Sequence, residues 1–219
     1  VDYPLTVVDI NGLKRTDLSD YHVLIMPSGY YNSRLGKEDL EKIQDWIRKG
    51  GRAIALEGAL SVFEGQSGFS LKKFASESEE SKDKKARQRA KMDRRFHIYE
   101  GQDRRSISNQ MPGAIFELIV DDTHPLAYGL SDRYFSLKTS SRAYQLLKDT
   151  WNVAYVGKDP TVIGFAGAKA KAKMMETTVF GVQNMGRGRM IYMVDNPLFR
   201  SFWEQGKLLF GNAVFFGGM

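Results

Sequence analysis

Between His22 and Leu60 the spacing of apolar residues changes period twice. His22–Met26 (HVLIM) is a short apolar run closed by Pro27, Ser28 and Gly29, the pattern of a strand buried on both faces and then broken. Leu40, Ile43, Trp46 and Ile47 then recur at helical spacing. Acidic residues sit in the first turn, Arg48 and Lys49 in the last, and Gly50 is the stop signal. Arg52–Leu56 is apolar again. Two buried strands joined by one amphipathic helix predict a right-handed crossover and a parallel sheet. Such sheets bind ligands at the carboxyl ends of their strands. Ser28, Gly29 and Tyr30 after the first strand, and Glu57 and Gly58 after the second, are therefore expected to border one crevice.

The flanking pattern is mostly β. Leu5–Ile10 is β-branched and alternating and reads as a strand, with Asn11–Gly12 as its turn. A doubly wound domain usually opens with one further strand and helix, so the first βα unit is expected to be missing from this stretch of chain. Later come Phe96–Tyr99, Ala114–Val120, Tyr134–Leu137, Tyr144–Leu147, Val153–Val156 and Val162–Ala166, a series of short strands that predicts an antiparallel extension of the sheet. Arg104–Gly113 reads as a loop, and the alternating AKAKAK of Ala168–Lys173 as an exposed loop or edge. Thr177–Val182 and Met190–Val194 predict a hairpin through Gly186 and Gly188. Asp195–Asn196–Pro197 stops the second of these strands, placing Asn196 at the same crevice, and starts an apolar final helix that Gly206 could interrupt.

Composition narrows the function classes. The 219 residues are 42% hydrophobic and 26% charged, which fits an ordinary globular chain read here as one domain spanning 1–219. Nothing approaches the roughly 18 consecutive apolar residues of a membrane span, and VDYPLTVVDI lacks the basic and apolar regions of a leader. The missing initiator Met suggests a piece of a longer polypeptide or a processed product. Most of the +6 charge lies in one segment, since Lys72–Arg95 holds ten Lys/Arg against five Asp/Glu. This tract, about 70–95, reads as a solvated helix or loop inserted into the domain; a nucleic-acid patch and contact with a partner domain are the other readings. The tract has no interleaved aromatics to stack bases, so nucleic acid is not the expected partner.

No cysteine is present, which excludes disulfides, thiolate metal sites and a cysteine nucleophile. That matters at LEGALS, where a strand-to-helix elbow in a sheet of this kind would expose Ser or Cys beside an oxyanion hole. The tip here is Glu57, a residue suited to base catalysis or cation binding but not to acyl transfer. His97–Glu100 spells H-x-x-E, yet the only later histidine is His124, so no metal site and no cofactor is expected. His124–Pro125 after two aspartates reads as a turn with a polar side chain near a strand end and joins the crevice candidates. Neither GxxxxGK[ST] nor GxGxxG occurs.

YHVLIMPSGYY, DWIRKGGRAIALEGA, HPLAYGL, YFSLKTS and DNPLFRSFWEQGKLLFGNAVFF together resemble the class I glutamine amidotransferase-like domain at the C-terminus of certain secreted zinc carboxypeptidases of Bacteroidetes type. The resemblance covers most of the chain outside the charged insert. It implies a flavodoxin-like three-layer α/β fold, a mostly parallel sheet with an antiparallel extension, and a secreted or periplasmic location. It also implies that the peptidase chemistry belongs to a separate upstream domain, the expected partner. Active amidotransferase-like relatives carry Cys at the elbow, where this chain has Glu57. The expectation is a non-catalytic accessory domain, binding a peptide or glycan or packing on the peptidase domain. The alternative is a hydrolase that uses Glu57 and His124 as an acid/base pair.

Overall fold

The computed structural model describes residues 4–74, 92 and 102–217. β1 (Val23–Met26), α2 (Lys37–Arg48) and β2 (Arg52–Leu56) form the expected crossover, and β1 and β2 pair in parallel from Val23↔Arg52 to Met26↔Ala55. Asp39 accepts from the Gly36 N–H at 2.8 Å to open α2. Leu40, Ile43, Trp46 and Ile47 bury its inner stripe. Gly51 lies flat under the Trp46 ring, where a Cβ would come within 2.3 Å of the indole.

The N-terminal segment departs from its pattern. Leu5–Ile10 forms no strand; Leu5 and Val7 are 79% and 88% exposed, and α1 (Ile10–Arg15) starts where Asp9 accepts from the Asn11 and Gly12 N–H groups. The Lys42 ammonium, reaching over from α2, holds the C-terminal carbonyls of α1 at Leu13, Lys14 and Thr16. Asp9 therefore organises the segment as a capped helical turn, and β1 keeps one edge unpaired among the described residues.

The remaining strands are β3 (Gly113–Val120), β4 (Arg133–Lys138), β5 (Tyr144–Gln145), β6 (Trp151–Tyr155), β7 (Val162–Phe165), β8 (Thr177–Met185) and β9 (Gly188–Met193). They make one sheet in the order β1-β2-β9-β8-β6-β3-β4, with β5 added to β8 and β7 to β3. β1, β2 and β9 are parallel, and every other pairing among the described residues is antiparallel. The β8–β9 hairpin closes through Gly186–Arg187, with Gly186 at φ +59°. The fold is a flavodoxin-like α/β arrangement with helices flanking the sheet, and its buried side chains form one cluster.

Two further loops become helices. α3 (Gln102–Asn109) occupies what reads as a loop, and α4 (Ala168–Met174) is the AKAKAK segment. Ala and Lys are good helix formers, and Ala170 and Met174, four apart, give α4 a buried side that the alternation of Ala and Lys concealed. The final helix α5 (Glu204–Phe215) runs through Gly206 without interruption and begins later than Pro197 suggests. A Cβ at Gly206 would strike the Pro197 carbonyl at 1.9 Å, so this glycine permits a close crossing. Phe96–Tyr99, the H-x-x-E at His97–Glu100 and most of the charged tract lie outside the described residues.

β4 reverses the face that its sequence suggests. Phe135 and Leu137 look like the core phase of RYFSLK, yet Tyr134, Ser136 and Lys138 are the buried residues. The opposite face carries Ile163, Ile115 and Leu137 in one row across β7, β3 and β4. Ile119, Phe135 and Phe165 extend it, leaving an outward apolar surface.

Candidate functional site

Register places the three parallel strands so that they finish together, because Met26 pairs with Ala55 and Leu56 with Met193. The turns that follow carry Ser28, Gly29 and Tyr30 after β1, Glu57 and Gly58 after β2, and Asp195 and Asn196 after β9. Six of the seven crevice candidates are thus at one end of the sheet. His124 is not.

Glu57 has φ +43°, a left-handed conformation uncommon for a side chain larger than glycine. Gly58, the next residue, packs on the turn after β1, and a Cβ there would come within 2.7 Å of the Gly29 carbonyl oxygen. The Gly58 N–H donates to Ser28 Oγ at 3.4 Å. Ser61 Oγ donates to the Gly58 carbonyl at 2.8 Å and bonds Asn32 at 2.9 Å, tying the two turns together again. The strained elbow is therefore present, and the N–H that would face an oxyanion is turned toward a serine hydroxyl. The Glu57 carboxylate itself has no hydrogen-bond or ionic partner among the described residues. Tyr30, in the turn after β1, is 86% exposed, whereas its neighbour Tyr31 donates its hydroxyl to the Pro27 carbonyl at 2.9 Å.

Asn196 serves its own turn, accepting from the Leu198 N–H at 2.9 Å. Its neighbour Asp195 is the more consequential group. Lys138 Nζ lies 3.1 and 3.0 Å from the two Asp195 oxygens, and Ser136 Oγ donates to Oδ2 at 2.6 Å. All three side chains are buried. β4 is four strands from β9 in sheet order, roughly 19 Å in a flat sheet, so the antiparallel extension must curl over the end of β9 to make these contacts. Asp195 also helps burial to raise the Tyr134 phenol pKa. A sequence signal existed, since Tyr134, Ser136 and Lys138 alternate, but the apolar phase opposite them was the stronger cue.

His124 lies at the other end. It caps a 3₁₀ turn (Pro125–Ala127), with Nδ1 accepting from the Leu126 N–H at 3.0 Å, and its ring stands 5.7 Å from that of Trp151. It shares a cavity with Arg189, which pairs with Arg52 at the start of β2. Five residues separate Arg52 from Glu57, about 16 Å along the strand. Trp151, on β6, is three strands from β2. Glu57 and His124 are not an acid/base pair, because the turn after β3 descends beside the strand starts rather than their ends. Burial lowers the His124 pKa, against the pull of Asp121 and with the help of Arg189. Among the described residues no group of His, Asp and Glu is arranged to hold a metal ion, and no helix is long and apolar enough to cross a membrane.

The class defined by this geometry is a flavodoxin-like α/β protein with an elbow at the end of its second parallel strand. No protein-family model and no curated protein matches the chain. Among solved structures it is similar to a ThuA-like protein from Bacteroides uniformis, at 14% identity over 95% of this chain and 74% of the other, with a TM-score of 0.50. A cytoplasmic protein from Salmonella typhimurium aligns at 15% identity over 97% and 76% of the two chains, with a TM-score of 0.47. A β-galactosidase from Bacillus circulans aligns at 15% identity over 93% of this chain and 24% of its own, with a TM-score of 0.49. At these identities the likeness to the first of them establishes the fold alone.

Proposed function

We propose that this chain is a non-catalytic accessory module of a larger, secreted zinc carboxypeptidase-like polypeptide. The parentage rests on the sequence resemblance. The observation that carries the non-catalytic reading is the occupied elbow. Its tip is a carboxylate at φ +43°, its N–H is engaged by Ser28, and no cysteine exists to attack a carbonyl. His124, which could have served as a base, is at the far end of the sheet.

The outward apolar face of β7, β3 and β4 supports the accessory role. Ile163, Phe165, Ile119 and Phe135 are 59%, 48%, 48% and 41% exposed on this face, which also carries the Glu117–Arg133 ion pair, a mixture suited to packing against a second folded unit. The occupant in this reading is the peptidase domain of the same polypeptide. Two measurements test it. The chain should hydrolyse glutamine, acyl esters and aryl glycosides no faster with Glu57 than with Glu57→Gln; turnover that this substitution abolishes would sink the non-catalytic reading. Ile163→Glu should release the chain from a separately expressed upstream domain while leaving its thermal unfolding unchanged. An upstream sequence without zinc-peptidase motifs would overturn the parentage.

A further inference from the structure

The cavity at the start of the parallel strands plays no part in the accessory role. It is an open cleft of about 230 Å³ lined by Asp121, Thr123, His124, Pro125, Trp151 and Arg189. That is small for a ligand pocket, which limits any guest to about a dozen heavy atoms.

Its charges are opposite in sign. Arg189 donates through Nη1 to the Gly217 carbonyl at 3.1 Å, beyond the end of α5. Asp121 accepts through Oδ1 from the Thr123 N–H and hydroxyl at 3.2 and 2.5 Å. Neither forms an ion pair among the described residues, because one is held by its turn and the other by the helix end. Among the described residues, Oδ2 of Asp121 and the rest of the guanidinium carry no other hydrogen bond and are available to a guest. His124 adds a neutral donor: Nδ1 accepts from Leu126, so the proton of the uncharged ring resides on Nε2. The half-exposed Trp151 indole, packed on that imidazole, supplies an apolar wall.

A simple anion would be drawn to Arg189 and repelled by Asp121, and a simple cation would meet the reverse. A molecule carrying both charges a few bonds apart satisfies both. We propose that this cavity binds a free α-amino acid or a comparable small zwitterion, its carboxylate on Arg189 and His124 Nε2–H, its ammonium on Asp121 and its side chain against Trp151.

Calorimetric titration of the 219-residue chain with leucine and phenylalanine, alongside the matching carboxylates without an amine and the matching amines without a carboxylate, tests this assignment. Saturable binding of the amino acids, weakened about tenfold or more in either single-charge analogue, is expected, since removing one charge-assisted hydrogen bond has an effect of that size. Asp121→Asn should weaken binding to the same degree, and its unfolding midpoint reports whether the fold is intact. Arg189→Met should do likewise, with Trp151→Ala as the second variant where removal of the Gly217 hydrogen bond weakens α5. Equal binding of the carboxylate alone, full binding by a folded Asp121→Asn chain, or no heat with any amino acid would each overturn the proposal.

Discussion

The two ends of the parallel strands differ in how completely their polar groups are matched. Where the strands finish, the elbow is closed: Ser28 meets Gly58, Asn32 meets Ser61, and Lys138 and Ser136 meet Asp195 in the interior. Where they start, Asp121, His124 and Arg189 face a cavity and are held apart by their own turns. The end that the fold marks out for chemistry is satisfied except at the Glu57 carboxylate, and the end where binding is not expected keeps charges of both signs that form no ion pair among the described residues. Position in a fold is a prior about function; the unmatched groups are what can bind.

The largest expected effect contrasts the removal of a charged partner at each end. Lys138→Met leaves Asp195 buried with only Ser136 beside it, and the loss of stability in urea should be about 3–5 kcal/mol. Asp121→Asn, which keeps an acceptor for Thr123, should change stability by less than about 0.5 kcal/mol. Similar losses at both sites would erase the distinction. Next in size, Gly58→Val drives a side chain into the Gly29 carbonyl and should cost about 1–3 kcal/mol. A neutral outcome would mean that the turns after β1 and β2 are not locked together.

The smallest effect is a pH dependence. Burial keeps the folded-state pKa of His124 below its ordinary value, so the unfolded chain binds this proton more readily. Its contribution to stability is present above about pH 6.5 and is lost as pH falls through the lower folded value. Protonation also removes the acceptor that Nδ1 offers Leu126. His124→Asn retains a turn-capping acceptor without a titrating ring. The urea midpoint of the native chain should therefore fall more than that of the variant between about pH 7.5 and pH 5; parallel curves would show that His124 is not sensed.

Legibility followed the range of the interactions involved. The β1–α2–β2 unit was readable to within a few residues, since its period, its acidic first turn and Gly50 are local signals. The β8–β9 hairpin was too. The segments Leu5–Ile10, Arg104–Gly113 and Ala168–Lys173 were misread, because alternation and polarity imitate strand or loop when a cap such as Asp9 or a buried pair such as Ala170 and Met174 decides otherwise. At the crevice, Ser28, Gly29, Tyr30, Glu57, Gly58 and Asn196 were found from strand ends alone. Asp121, Trp151 and Arg189 were missed, for no local pattern links a turn after β3 to the starts of β6 and β9.

By itself the sequence determined the parallel crossover, the absence of a thiol nucleophile and the carboxylate at the elbow, all set by residue type and near-neighbour spacing. Only the tertiary structure decided that Ser28 covers the Gly58 N–H, that β4 turns Lys138 inward to Asp195, and that His124 joins Arg189 rather than Glu57. Those outcomes depend on sheet order and curl, which bring together residues between 30 and 65 positions apart, and no local preference encodes that choice.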